Sequence, residues 1–346
     1  MKFVLMFGAI IVATILGYFP SINKPKPLWW KLLAIALVVI GVAFTIIPPI
    51  AGNWQSTYYL KQGLYKDLDV KLTVEDIEKI PEGSLVKVKS DLPHNKFFVA
   101  GSLPSEISAG KEMIIKLTYD SNAAAPFVFE KIKRETAGMT YPFVPNLYER
   151  IRILNLHVPM AWIAVVAYLI SMIYSVRYLR SKNFEFDDKA VAAAALGTLF
   201  AILATVTGML WAKYNWGKYW NWDPRQTSIF VLILIYAAYF ALRSAIDNDE
   251  SKARLSSVYS IFAFITVPFL VFILPRLATG LHPGSADDVN AGPVVSTNQG
   301  SLDSNLMYSF GVSLLAFTTV FFWMLNIRIR QMKLIRNHVT FTAENS

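Results

Sequence analysis

Residues 190–211 read AVAAAALGTLFAILATVTGMLW, twenty-two positions without a single charge. A helix of about 20 such residues crosses the hydrocarbon of a bilayer. A soluble helix of this length would show a polar face; this one is apolar or small all round. The stretch therefore predicts a membrane span, and it sets the frame for the rest of the chain. Six further stretches read the same way, at roughly 2–19, 30–49, 156–176, 227–246, 255–275 and 305–325. Composition agrees: 54% of residues are hydrophobic and only 16% charged, against about a quarter charged in soluble domains. The expected fold is an all-α polytopic membrane protein of about seven transmembrane helices, with a small extracytoplasmic β or α+β insert. Two helices fill 1–50, the insert 51–150, a five-helix core 151–327, and a cytoplasmic tail 328–346. No clear small-residue cleavage site precedes the Lys-Pro-Lys-Pro stretch at 24–27, so the first span reads as retained and not as a signal peptide.

The net charge of +9 does not point to nucleic acid, since no nucleic-acid-binding module is recognisable. The cations instead sort by loop. Lys24, Lys26 and Lys31 follow the first span; Arg177, Arg180, Lys182 and Lys189 the third; Arg243, Lys252 and Arg254 the fifth; Arg328, Arg330, Lys333 and Arg336 the last. Alternation puts all four groups on one side, and the positive-inside rule makes that side the cytoplasm. The loop at 276–304 falls outside and has Arg276 as its only basic residue. There is no cysteine. That excludes disulfides, thiolate metal sites, cysteine nucleophiles and thioether haem attachment together.

The insert is nearly neutral, with 14 Lys/Arg against 13 Asp/Glu from 51 through Arg152. SLVKVKSDL, KFFVAGSL and EMIIKLTYD are β-like, being rich in branched or aromatic residues between turn formers. TVEDIEKI predicts a short helix, with Thr73 as its cap and Asp76 three residues on.

Chemistry concentrates on the outer face. Residues 211–227 read WAKYNWGKYWNWDPRQT and hold four of the nine tryptophans. An interfacial aromatic belt is the plain explanation of such rings. Two features weaken it: the rings cluster in one loop, and Asp223 and Arg225 follow at once. By parity, His157 at the outer end of the third span and His282 beyond the outer end of the sixth share this face. Imidazole ligates haem iron through one nitrogen while the other needs a partner. Indole rings would stack on a flat macrocycle, and Arg225, Lys213 and Lys218 would suit its propionates. The same inventory suits a quinone or another flat anion. His94, in DLPHNKF, and His338, in the tail, do not share the geometry.

The run WGKYWNWDPRQT resembles the tryptophan-rich WWD signature, W-G-x-x-W-x-W-D-x-R-x-T, of haem-handling proteins in cytochrome c maturation. Trp216, Gly217, Trp220, Trp222, Asp223, Arg225 and Thr227 all match it. LHVPMAW is similar to the entry of the helix before that loop, and Pro268 through LATGLHPG to the later loop with the second histidine. The resemblance covers about 150–325 and is closest to CcmC within the CcmC/CcsA superfamily. It implies non-covalent haem b held between axial ligands His157 and His282. Trp216, Trp220 and Trp222 would be the platform, with Gly217 within the motif. Asp223 would fix the loop, and Arg225 would reach a propionate. It also implies a bacterial inner-membrane location with the haem site on the periplasmic side. The implied partners are haem, a periplasmic haem chaperone, ABC-transporter-like maturation subunits and membrane lipid. An additional N-terminal span and about 100 residues before LHVP depart from the CcmC pattern.

Three functions follow as expectations. A haem carrier that presents haem to the chaperone needs no catalytic constellation, and none is evident. A CcsA-type haem lyase component would bind apocytochrome directly. A quinone-linked or transport protein would bind no haem. For the insert, its position before His157 motivates the hypothesis that it recruits the chaperone or another subunit. Deleting 55–145 is then expected to cut haem loading of the chaperone. Unchanged loading at normal protein level would exclude it.

Overall fold

The computed structural model describes residues 2–46, 51–92, 94–134, 140, 148–282, 284–286 and 304–344. The chain divides into two compact units. One comprises 1–45, 152–302 and 307–346; the other comprises 46–151 with 303–306.

The first unit is helical. It contains α1 (Lys2–Tyr18), α2 (Leu28–Ile46), α4 (Leu154–Ser181), α5 (Phe184–Trp216), α6 (Pro224–Ser244), α7 (Asp249–Pro268), α8 (Leu274–Leu277) and α9 (Ser304–Glu344). Among the described residues six helices are long and apolar enough to cross a membrane. The seventh expected span is α1, which at 17 residues is shorter. The last stretch runs on as one helix to Glu344, beyond the apolar 305–325. Much of the loop expected at 276–304 lies outside the described residues.

Small residues let these helices approach closely, as bilayer packing requires. On α5, Ala190, Ala193, Ala194, Ala201 and Ala204 are buried, beside Ala164 and Ala167 of α4 in one core cluster. A Cβ on Gly197 would lie 2.8 Å from the Tyr168 ring. That ring stacks on Tyr236 of α6 with centroids 3.5 Å apart, and its hydroxyl pairs with Thr198 at 3.2 Å. Such a stack adds about 0.5–1.5 kcal/mol beyond burial. Ser171 and Ser260 exchange a 3.1 Å bond between α4 and α7.

At the end away from His157, ion pairs hold the helices in register. Arg243 of α6 grips Asp187 in a two-pronged contact at 2.8 and 2.9 Å. Arg336 of α9 holds Asp188, with Nε at 3.1 Å. Lys26 departs from the simple loop-charge reading. It is buried and donates to the carbonyls of Gly17, Phe19 and Ser21 at 2.5, 2.7 and 3.4 Å. A cation thus meets the unpaired carbonyls that end α1, while burial lowers its pKa to about 8. Asn326 of α9 donates to Ile22 and Lys24 in the same turn, at 2.6 and 2.8 Å.

The second unit corrects the helix expected at TVEDIEKI. Thr73–Ile80 is the second half of a strand, β1 (Asp67–Ile80). Its companions are β2 (Gly83–Val88), β3 (Lys96–Ala100), β4 (Glu112–Tyr119) and β5 (Phe127–Arg134), with a short helix α3 (Thr57–Lys61) before them. They close into a barrel in the order β1-β2-β3-β5-β4. A register shift between Val74 and Asp76 lets β1 pair with β4 through its first half and with β2 through its second. Pairing thereby overrides the local helix signal. The charges that suggested a helix lie outside the barrel core and pair across strands, Glu75 with Lys87 at 3.2 Å and Glu78 with Lys96 at 3.0 Å. Val70, Val86, Val88, Phe97, Ile115 and Leu117 are fully buried inside. At about 1.5–3 kcal/mol per large apolar side chain, the barrel has a core of its own.

Candidate functional site

His157 stands in the first turn of α4. Its Nδ1 lies 2.9 Å from the Ala204 carbonyl of α5 and 3.1 Å from Thr207 Oγ1. A carbonyl can only accept, so Nδ1 carries the proton and Nε2 keeps its lone pair. The ring fits because position 208 is glycine: a Cβ there would lie 2.9 Å from His157 Cε1. His157 is also within electrostatic reach of His282.

His282 arrives by a different route. The helix from Asp249 carries a π-helical turn at Phe269–Ile273, between Pro268 and Pro275. Proline removes a ladder donor, and such bulges redirect a helix. The chain leaves α8 at Ala278 in extended conformation and reaches the loop with His282. There Nδ1 lies 2.7 Å from Asp223 Oδ1. An ionised carboxylate only accepts, so this imidazole too has its proton on Nδ1 in that contact, which leaves Nε2 to face away from Asp223.

Asp223 is the joint of the site. It is the N-cap of α6, with Pro224 in the first helical turn. Its Oδ1 accepts from the Arg225 amide at 2.9 Å, and its Oδ2 from the Leu281 amide at 2.7 Å. Burial raises the carboxyl pKa, but the His282 contact and the two amides outweigh it and hold the group at about 2. Gly280 makes room, since a Cβ would lie 2.8 Å from Asp223 Oδ2.

The tryptophans divide into two groups. Trp211 stacks on His282 at 5.7 Å and 30°, and Trp216 meets it edge-on at 4.7 Å. Trp220 instead contacts Trp222 and Phe230, at 5.7 and 6.1 Å. Trp222 has φ +54 and is 71% exposed, an unusual backbone for so bulky a residue. Gly217, at φ +80, ends α5 in the left-handed conformation that suits glycine. Its carbonyl accepts from Lys213 Nζ at 2.9 Å. Gln226 steadies the intervening loop, accepting from the Asn221 amide at 2.8 Å and donating to Tyr219 at 3.2 Å. Arg225 lies within electrostatic reach of Asp223 and Arg276.

The structure thus gathers Trp216, Asp223 and His282, with His157 within electrostatic reach, and sets Trp220 and Trp222 among their own contacts. The sequence motif missed Trp211 as a neighbour of His282, and Thr207, Gly208, Gln226 and Gly280 as supports. Trp211, Gln226 and Gly280 lie within the quoted motif stretches; Thr207 and Gly208 carry no signal in a single sequence. Among the described residues no group of three or more His, Cys, Asp or Glu could hold a bare metal ion. A metal carried in a macrocycle needs only axial ligands.

Residues 136–344 match the family Heme exporter protein C, CcmC. The chain is 32% identical to Heme exporter protein C of Bradyrhizobium diazoefficiens over 180 residues, 51% of this chain and 65% of that protein. It is 30% identical to that of Paracoccus denitrificans over 177 residues, 50% of this chain and 73% of the relative. For Escherichia coli the figures are 32% over 149 residues, 42% and 60%. The match thus spans roughly two thirds of these relatives' lengths. The Cytochrome c biogenesis protein CcsA of Manihot esculenta is 28% identical over 119 residues, 32% of this chain and 36% of that one. Helices α1 and α2 and the barrel precede the family match. With more than half its length matched, and with membrane-crossing helices, the chain belongs to the CcmC family of haem-handling membrane proteins in cytochrome c biogenesis.

Proposed function

We propose that the protein binds haem b non-covalently at the outer, periplasmic face of the inner membrane and presents it to a periplasmic haem chaperone. The observation that carries this is the shared state of two imidazoles. Each commits Nδ1 to a protein acceptor, His157 to Ala204 and His282 to Asp223, and keeps Nε2 for a metal. This is the second-shell arrangement that fixes a ligating histidine. His157 and His282 are the axial ligands. Trp211 and Trp216 line the His282 side. Arg225 answers a propionate, and Trp220 and Trp222 extend the surface to the docking partner. Transfer requires one axial bond to open. His282 is the ligand that leaves, since it sits on a loop while His157 is built into a helix. Haem is cargo here, so no catalytic acid or base is assigned. Subunits of the ABC-transporter type drive the cycle.

The test is the absorption spectrum of the purified protein in mild detergent, oxidised and reduced, beside His157→Ala and His282→Ala. A low-spin haem b spectrum is expected, converted in each variant to a five-coordinate or differently ligated form. A protein that takes up no haem when it is supplied with its accessory subunits would refute the reading. The CcsA likeness supports a second reading, haem delivery straight to apocytochrome. Capture of apocytochrome in place of the chaperone would favour it.

A further inference from the structure

Away from the histidines, α5 and α9 leave a groove of about 410 Å³ between them. Its walls include Ala195 and Leu199 of α5 and Met324, Ile327, Arg328 and Gln331 of α9. The α9 residues fall at i, i+3, i+4 and i+7, one face of a helix. The small side chain of Ala195 opens the notch on α5. Both helices are long and apolar enough to span a membrane, which puts the groove on a surface that lipid can reach.

Its polarity is graded. The walls are apolar until the sequence of α9 turns cationic at Arg328. Further along the same helix, Lys333 and Arg336 are answered by Glu185 and Asp188 of α5. Arg328 has no carboxylate partner among the described residues; its guanidinium donates to Gln331 Oε1 at 2.8 Å. Both side chains line the groove, so a fixed positive charge stands where an apolar channel meets the membrane surface.

We propose that this groove is a binding site for one anionic phospholipid. An acyl chain lies along Ala195, Leu199 and Met324, and the phosphate meets Arg328. The groove is narrow, with walls one α9 face and the α5 notch wide, and it suits a single acyl chain laid along it. Charge excludes a zwitterionic lipid as the preferred guest, because its own cation would sit beside Arg328. This inference rests on the membrane spans and is independent of the haem reading.

The experiment is native mass spectrometry of the full-length protein released from nanodiscs of equal phosphatidylglycerol and phosphatidylcholine with matched chains. The wild type is expected to retain phosphatidylglycerol over phosphatidylcholine by about fivefold, the effect of one basic residue at a membrane surface. Arg328→Gln should bring the two near parity. Arg330→Gln removes the same charge from another face of α9 and should leave the preference intact. Ala195→Phe fills the notch and should lower retention of both lipids. Parity in the wild type would overturn the proposal. So would equal losses in the two arginine variants, which would mean diffuse charge and no site. Cross-linking of a photoreactive residue at Leu199 to a small membrane-spanning subunit in cells, in place of lipid, would overturn it as well.

Discussion

A protein carrying both His157→Ala and His282→Ala is expected to purify with under about a tenth of the wild-type haem and to load the chaperone at background. In the proposed site each substitution would remove one Nε2 ligand, and the pair would leave iron with no protein nitrogen. The two changes also act on different supports. Losing His157 frees Ala204 and Thr207 on α5, while losing His282 leaves the buried Asp223 carboxylate without its side-chain donor. Imidazole added to the double variant is expected to restore part of the low-spin spectrum, because it replaces the ligand and not the fold. Chaperone loading at the wild-type rate by the double variant would contradict axial ligation by either residue. A spectrum unmoved by imidazole, in a protein that keeps its melting temperature, would place the haem elsewhere.

Asp223→Asn is expected to weaken haem retention about 10–100-fold, the usual cost of losing the partner of a metal-ligating histidine. Asparagine keeps the shape but not the charge, and it has one acceptor oxygen where the carboxylate has two: with Oδ1 kept for His282 and Arg225, its amide nitrogen would face the Leu281 N–H, donor against donor. If Asp223 acts through His282, the Asp223→Asn, His282→Ala double variant should bind haem no worse than His282→Ala alone. Losses that add would assign Asp223 a separate role. Haem titration of the four proteins, with thermal unfolding of each as a control for the lost α6 cap, decides between them.

Much of this site was legible in the sequence because it is written locally. The uncharged run at 190–211 is long enough to name its own environment, and the spacing from Trp216 to Thr227 belongs to one continuous stretch, from the end of α5 to the first turn of α6. What was not legible depends on distant chain. Asp223 and Leu281 bond across 58 positions, and nothing within either segment announces the other. Trp211 reads as one more interfacial ring until His282 is laid against it. Lys26 reads as a loop cation until the end of α1 folds over it. In the barrel, Thr73–Ile80 has the charge and capping pattern of a helix, and only pairing with β2 makes it a strand. Strand β5, with the sequence FVFEKIKR, shows too little alternation to be found alone.

The single carboxylate of Asp223 has a consequence in the language of linkage. It joins the start of α6, the loop behind Leu281 and the imidazole of His282, and the Trp220–Trp222 loop runs directly into it. Whatever docks on that loop and changes the hold on His282 alters haem affinity by some factor. The cargo must then alter the affinity for that partner by the same factor. A chaperone that loosens haem is therefore itself bound less tightly by the loaded carrier than by the empty one. Fast hand-over is reconciled with this only if the partner, once charged, leaves more readily still.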